Sequence, residues 1–217
     1  MTLAHACLCV ITDPSLARGK DHVAVAEAAL AGGADIIQLR DKGGSLRDLL
    51  PQARAIQALC RARGATFIVN DRVDLALAAD ADGAHVGQDD LPAEAARRLL
   101  GPGRILGVST HDAAQARAAV AAGADYIGFG PMFATGTKET GYTPRGVAAL
   151  AQIRALVGPL PILAIGGITL ANVADVIRAG ATAPAVISAV VAAPDISAAA
   201  AAFRAEILAA RRDARLQ

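Results

Sequence analysis

The apolar positions of this chain fall in short, unbroken, β-branched runs, each preceded by an alanine-rich stretch and a glycine. The unit recurs as ALAGGADIIQLR (29–40), RARGATFIVN (61–70), ADGAHVG (81–87), AAGADYIGFG (121–130) and RAGATAPAVIS (178–188). A glycine just past a helix supplies the left-handed turn that ends it, and an apolar run after that stop fits a parallel strand buried on both faces. CLCVIT (7–12), ILGVST (105–110) and PILAIGG (161–167) bring the expected strands to eight, with helices predicted over 21–31, 45–63, 92–100, 113–122 and 170–179. Eight parallel strands alternating with helices predict an α/β protein, a (β/α)8 or TIM barrel forming a single domain over residues 1–217, with an open doubly wound sheet as the alternative. A last alanine-rich helix over 197–212 closes the chain.

The polar residues are not spread evenly along these units. They gather where strands end: Gln38-Leu39-Arg40-Asp41-Lys42, Asn70-Asp71-Arg72, Gly87-Gln88-Asp89-Asp90, Ser109-Thr110-His111 and Gly166-Gly167. In a barrel the C-terminal ends of all strands converge on one mouth, where the chemistry sits, whereas the Gly-Ala-Asp turns before the strands lie at the opposite, structural end. One connection is long: 131–146 has no helical periodicity and reads as a loop over the mouth.

Composition narrows the function. The chain is 54% hydrophobic and 19% charged with a net charge of +1, which excludes a disordered chain. No basic run occurs apart from Arg211, Arg212 and Arg215, so nucleic acid is not an expected partner. No apolar stretch reaches membrane-spanning length without interruption, and no secretory leader is read at the start, so a cytoplasmic, reduced location is expected. Cys7 and Cys9, two apart on one strand, are expected to share a face and to pack in the core with no metal role.

The mouth residues suggest phosphate chemistry. Asp71 and Asp89-Asp90 follow adjacent strands and can face each other, and hard oxygen ligands without histidine or cysteine suit Mg²⁺. The plainer reading has these aspartates capping the following helices. Arg40, Lys42 and, in the long loop, Lys138 would complete a pyrophosphate clamp. The backbone of Gly166-Gly167-Ile168 and of Val186-Ile187-Ser188-Ala189 occupies the two loops where barrels frequently bind a phosphate. Two phosphate sites imply two phosphorylated small-molecule substrates. His85 is expected in the barrel interior and His111 at the mouth, and no Ser–His–Asp or Cys–His set is visible.

These residues occur together and in one order, continuing through His85-Val86-Gly87-Gln88-Asp89-Asp90, Gly107-Val108-Ser109-Thr110-His111, Gly128-Phe129-Gly130-Pro131-Met132-Phe133 and Thr135-Gly136-Thr137-Lys138. The chain resembles the thiamine phosphate synthase family over nearly its whole length. That resemblance implies a transferase joining 4-amino-5-hydroxymethyl-2-methylpyrimidine pyrophosphate to 4-methyl-5-(2-phosphoethyl)thiazole, with release of pyrophosphate. It further implies that Gln38, Leu39, Arg40, Asp41, Lys42, Asn70, Ser109 and Lys138 hold the pyrimidine pyrophosphate, with Arg40, Lys42 and Lys138 catalytic. Thr135, Gly136, Thr137, Gly167, Ile187 and Ser188 would hold the thiazole phosphate, and Asp71 and Asp90 would ligate Mg²⁺. The Gly180-Ala-Thr-Ala-Pro184 entry to the last strand departs from the family's usual pattern. Thiazole tautomerases share the fold and the thiazole-phosphate loops but generally lack the full Arg-x-Lys, Asn-Asp and Gln-Asp-Asp set. A non-catalytic sensor of thiazole phosphate is the other alternative, and retained metal ligands argue against it. Association with further copies of the chain is left open by the sequence.

Overall fold

The computed structural model describes residues 3–136 and 141–215, with side chains through residue 213. Eight parallel strands close in sequence order: β1 (Cys9–Thr12), β2 (Ile36–Leu39), β3 (Thr66–Asn70), β4 (Gly83–Val86), β5 (Ile105–Thr110), β6 (Tyr126–Phe129), β7 (Ile162–Ile165) and β8 (Ala183–Val186). β8 pairs back onto β1 through Cys9↔Ala185 and Val10↔Val186, so the sheet is a closed barrel and not an open one. The helices around it are α1 (His22–Ala31), α2 (Leu46–Arg63), α3 (Val73–Ala78), α4 (Ala93–Leu100), α5 (Ala113–Ala121), α6 (Gly146–Val157), α7 (Val173–Arg178), α8 (Ser188–Val191) and α9 (Ile196–Arg215). Local chemistry sets their limits. The side chains of Asp21, Ser45 and Asp112 accept backbone N–H bonds that start α1, α2 and α5, and α2 stops at Gly64, whose φ of 67° is left-handed.

Strand alternation sorts the buried residues into two layers. Ile37, Leu39, Phe67, Val69, Leu106 and Ile127 face outward and pack against the helices. Cys9, Ile11, Ile36, Ile68, Tyr126 and Leu163 face inward and fill the barrel, which Leu3 and Ala6 plug from below. Cys7 and Cys9 do not share a face: Cys7 belongs to the outer layer and Cys9 to the inner one. The two-residue period starts only at Cys9, because the N–H groups of Cys7 and Leu8 are both drawn onto the Asp35 carboxylate, at 2.8 and 3.1 Å. Burial pushes the thiols of Cys9 and Cys60 up to about 12, which leaves them unreactive packing groups.

The base of the barrel repeats one device. Asp35, Asp82 and Asp125 precede β2, β4 and β6, and each carboxylate accepts an N–H at the start of the preceding strand, from Cys7, Phe67 and Leu106 respectively. In the unusual entry to β8 the same task falls to Thr182, whose hydroxyl accepts from the Ile162 N–H at 3.0 Å. Arginines from the helices lash these turns together: Arg97 reaches Asp125 and the carbonyls of Gly101, Arg104 and Gly123, and Arg204 pairs with Asp35 at 3.0 Å.

Candidate active site

The mouth divides into two compartments. On the β5–β8 side lies a cavity of about 470 Å³, lined mostly by backbone and small side chains and including Thr135, Gly136, Gly167, Ile187 and Ser188. Every described residue expected to hold thiazole phosphate therefore meets in one place. Thr137 and Lys138 lie outside the described residues. Gly166 and Gly167 have φ of 99° and 65°, and a Cβ on Gly167 would come within 2.6 Å of the Ala134 carbonyl oxygen. The glycine pair thus lets the β7 loop lie against the loop after β6, where Met132 N–H bonds the Ile165 carbonyl and Phe133 N–H that of Gly166.

The second compartment is polar and runs down into the barrel. Gln38, Arg40, Asn70, His85, Ser109 and Tyr126, with apolar residues between them, surround a cleft of about 40 Å³ that shares Ser109, Gly128, Ile165, Ala185 and Ile187 with the larger cavity. Four of these, Gln38, Arg40, Asn70 and Ser109, were expected on the pyrimidine side. Tyr126 was not singled out by sequence. Its ring fits because residue 107 is glycine: a Cβ there would lie 2.1 Å from the tyrosine ring.

His85 links two members of this floor, with Nε2 at 2.8 Å from Ser109 Oγ and Nδ1 at 3.0 Å from the Tyr126 hydroxyl. The Ser–His spacing resembles that of a nucleophile and its base, but the third member is a phenol. Burial pushes the Tyr126 pKa far up, so the phenol stays protonated, and its hydroxyl also meets the Gln38 side chain. His85 therefore ties Ser109 to the barrel floor, with a phenol where a Ser–His–Asp set has its carboxylate.

Of positions 38 to 42, two turn away from the mouth. The Leu39 side chain is 1% exposed in the outer layer, as strand alternation requires. The Asp41 carboxylate accepts from the N–H groups of Gly43 and Gly44 and meets His22 Nε2 at 3.1 Å. Burial alone would raise the Asp41 pKa, but those two N–H groups and His22 outweigh it and hold the carboxyl below its ordinary value. Arg40 stays at the mouth, paired with Asp13 at 3.3 Å, and Lys42 reaches across to Asp71 at 2.5 Å.

Asp71 and Asp90 form the rim on the β3–β4 side. Neither caps a helix: the N-cap positions of α3 and α4 are Arg72 and Pro92, neither with a side-chain cap bond, and Asp89 is exposed. Asp71 takes a left-handed φ of 63° while its N–H bonds the His85 carbonyl, and Asp90 accepts from the Gly87 N–H at 2.8 Å. Burial first, and then the hydrogen bond and charge of Asp71, raise the Asp90 pKa. Two carboxylates that oppose each other's ionisation form a hard-oxygen donor pair suited to a divalent cation. Among the described residues no three His, Cys, Asp or Glu side chains converge, so such a cation would draw its other ligands from water or substrate oxygens. At the far rim His111 Nδ1 lies 2.6 Å from the Gly130 carbonyl oxygen, and its ring stacks on Tyr142 at 3.7 Å.

A closed (β/α)8 barrel with this two-part mouth belongs to the barrel enzymes that act at the C-terminal ends of their strands. More narrowly, the chain belongs to the thiamine monophosphate synthase family, whose model matches residues 8–190. It is 53% identical over 208 residues to the thiamine-phosphate synthase of Chloroflexus aurantiacus, covering 94% of this chain and 95% of that one. The Methanoculleus marisnigri thiamine-phosphate synthase is also 53% identical over 208 residues, covering 96% of this chain and 98% of that one. The solved thiamine phosphate pyrophosphorylase of Pyrococcus furiosus superposes with a TM-score of 0.88 at 36% identity, over 96% of this chain and 98% of that one. The chain is therefore an enzyme that transfers a group between small molecules. No helix among the described residues is long and apolar enough to cross a membrane.

Proposed function

We propose that this barrel joins 4-amino-5-hydroxymethyl-2-methylpyrimidine pyrophosphate to 4-methyl-5-(2-phosphoethyl)thiazole, forming thiamine phosphate and releasing pyrophosphate. The observation that carries the reading is a mouth with two adjoining cavities, one holding Gln38, Arg40 and Asn70 and the other Thr135, Gly136, Gly167 and Ser188, which share Ser109 and Ile187. Gln38, Asn70 and Ser109 would seat the pyrimidine on the barrel floor, with its pyrophosphate toward Arg40 and Lys42. The cavity beside them, lined by Thr135, Gly136, Gly167, Ile187 and Ser188, would take the thiazole and its phosphate.

Asp71 and Asp90 would hold Mg²⁺, which when bound supplies positive charge to the pyrophosphate oxygens. Arg40 and Lys42 would stabilise the negative charge that gathers on the pyrophosphate as its bond to the pyrimidine methylene breaks. Lys138 is assigned to the same clamp from its place in the loop after β6. The thiazole nitrogen attacking the methylene carries no proton, so the reaction requires no general base. The Ser109–His85–Tyr126 chain fits that requirement, since it lacks the carboxylate that orients and charges the histidine of a serine nucleophile's base. Holding the two reactants side by side then does much of the work, because a second-order encounter becomes a positioned one.

The test is incubation of the purified protein with both substrates, with and without Mg²⁺, followed by chromatographic detection of thiamine phosphate. Product that requires the metal is expected. Absence of product under both conditions refutes the assignment, and equal product without any divalent cation refutes the role of Asp71 and Asp90.

A further inference from the structure

His22 belongs to no motif, lies on α1 and is 2% exposed, yet it joins two strand ends beneath the basic loop. Its Nδ1 lies 2.6 Å from Thr12 Oγ1 at the end of β1, and its Nε2 lies 3.1 Å from Asp41 Oδ2 just past β2. The Asp41 carboxylate, held below its ordinary pKa and so ionised, only accepts, which places the imidazole proton on Nε2. The fully buried Thr12 hydroxyl hydrogen-bonds Nδ1 and lies within reach of the Arg40 N–H at 3.4 Å. Asp41 in turn gathers the N–H groups of Gly43 and Gly44, at 2.8 and 2.5 Å, into a tight turn. Arg40 and Lys42 flank the carboxylate at the centre of this arrangement. Their backbone is thereby tied to α1 through one imidazole.

We infer that His22 is a positioning residue: through Asp41 it fixes the loop that presents Arg40 and Lys42 to the pyrophosphate of the substrate. This rests on the substrate reading above and extends it to a residue outside the mouth. A loop left to wander would have to be ordered by the substrate itself, and the cost would appear as weaker binding of that one substrate. The effect is therefore specific to the pyrophosphate side. The thiazole-phosphate cavity is built from β5 to β8 and the loops after them, which the tether does not touch.

Two near-isosteric variants separate the tether from simple core filling. His22→Gln can place an amide N–H where Nε2 stood and so keeps the bond to Asp41. His22→Asn reaches only Thr12 and loses it. In His22→Asn the KM for the pyrimidine pyrophosphate should rise at least roughly tenfold while that for thiazole phosphate stays within about twofold, and His22→Gln should recover most of the loss. Asp41→Ala severs the tether without altering buried His22. It should raise the same KM, and the Asp41→Ala/His22→Asn double variant should be no worse than the poorer single one. An unchanged pyrimidine-pyrophosphate KM in His22→Asn, equal changes for both substrates, or additive effects in the double variant overturn the inference. If wild-type protein makes no thiamine phosphate, the substrate reading has failed and the tether is tested on its own with inorganic pyrophosphate and Mg²⁺ by titration calorimetry. The Kd is then expected to rise about tenfold in His22→Asn, and an unchanged Kd overturns the tether as well.

Discussion

The two ends of this barrel use the same side chains for opposite purposes. At the base Asp35, Asp82 and Asp125 accept backbone N–H groups, and two of the three meet an arginine from a helix. At the mouth Asp71 and Asp90 are set against each other, so that the Asp90 pKa rises, and Lys42 leans on Asp71 from an exposed position. At the base Asp35 and Asp125 are each paired with an arginine, whereas at the mouth two carboxylates share a single lysine. The difference teaches where a barrel invests stability and where it withholds it: charges that satisfy one another hold strands together, and charges held in tension wait for a ligand. Left-handed backbone occurs at both ends: Asp80, in the turn before β4, has φ 53°. Asp71 adopts φ 63°, a left-handed conformation that a non-glycine residue takes at some cost, and it does so at the rim.

The sharpest way to break this comparison is at the rim. Asp71→Asn and Asp90→Asn should each lower kcat/KM by roughly 10²–10³, the usual size for loss of a preorganised charge contact at a reacting group. Because each change also relieves like-charge opposition, thermal stability should hold or rise slightly. A Tm that falls by more than a few degrees together with the activity would show that these aspartates are structural, like those at the base.

The converse change belongs at the base. Arg97 is a multiple donor, to Asp125 and to the carbonyls of Gly101, Arg104 and Gly123, and its side chain is only 22% exposed. Arg97→Ala should cost about 2–3 kcal/mol, chiefly from carbonyls and a carboxylate left without their donor. For a domain of this size that is a fall in Tm of roughly 5–10 °C. The kcat of the folded fraction should be unchanged. Calorimetry and steady-state kinetics on the same preparation decide it, and loss of turnover without loss of stability would erase the distinction between the ends.

Much of this was legible in the sequence because the signals are punctuated. A glycine stop followed by an apolar run marks five of the eight strands, and Gln38, Arg40, Asn70, Asp71 and Asp90 gather where such runs end. The structure brings these residues together at the strand ends for that reason. What escaped the sequence was side-chain direction inside all-apolar strands. With every position of β6 buried, nothing in YIGF says that Tyr126 points inward, and the space it fills is made by Gly107 on the neighbouring strand. The same ambiguity misplaced Cys7 relative to Cys9. The family resemblance places Asp41 among the substrate contacts, but its carboxylate organises its own turn and meets His22. His22 follows the Asp21 cap at the start of α1, and the histidine's partners are 10 and 19 residues away in sequence.

Asp41 gives the smallest test, because it is a mouth residue wired like a base residue. Its folded pKa is depressed: burial opposes ionisation, but the N–H groups of Gly44 and Gly43 and the contact with His22 favour it more. A carboxylate with a depressed folded pKa contributes stability that is fully present above its unfolded value, near 3.8, and is lost as pH falls through the folded one. Between those two values the unfolded chain binds the proton more readily than the native chain, so acid pulls the equilibrium toward unfolding. Asp41→Asn removes that linkage. The variant should be modestly less stable than wild type at pH 7, and the gap between them should narrow as pH is lowered below about 4. Chemical denaturation at pH 7, 5 and 3.5, compared in pairs, reads the effect directly. Rim residues behave the other way: with the Asp90 pKa raised, its linkage makes the native state weaker as pH rises through the window above 3.8. If the Asp41→Asn gap instead widened toward acid, Asp41 would belong electrostatically with the rim, and the loop it ties to α1 would have to be held by its glycine turn alone.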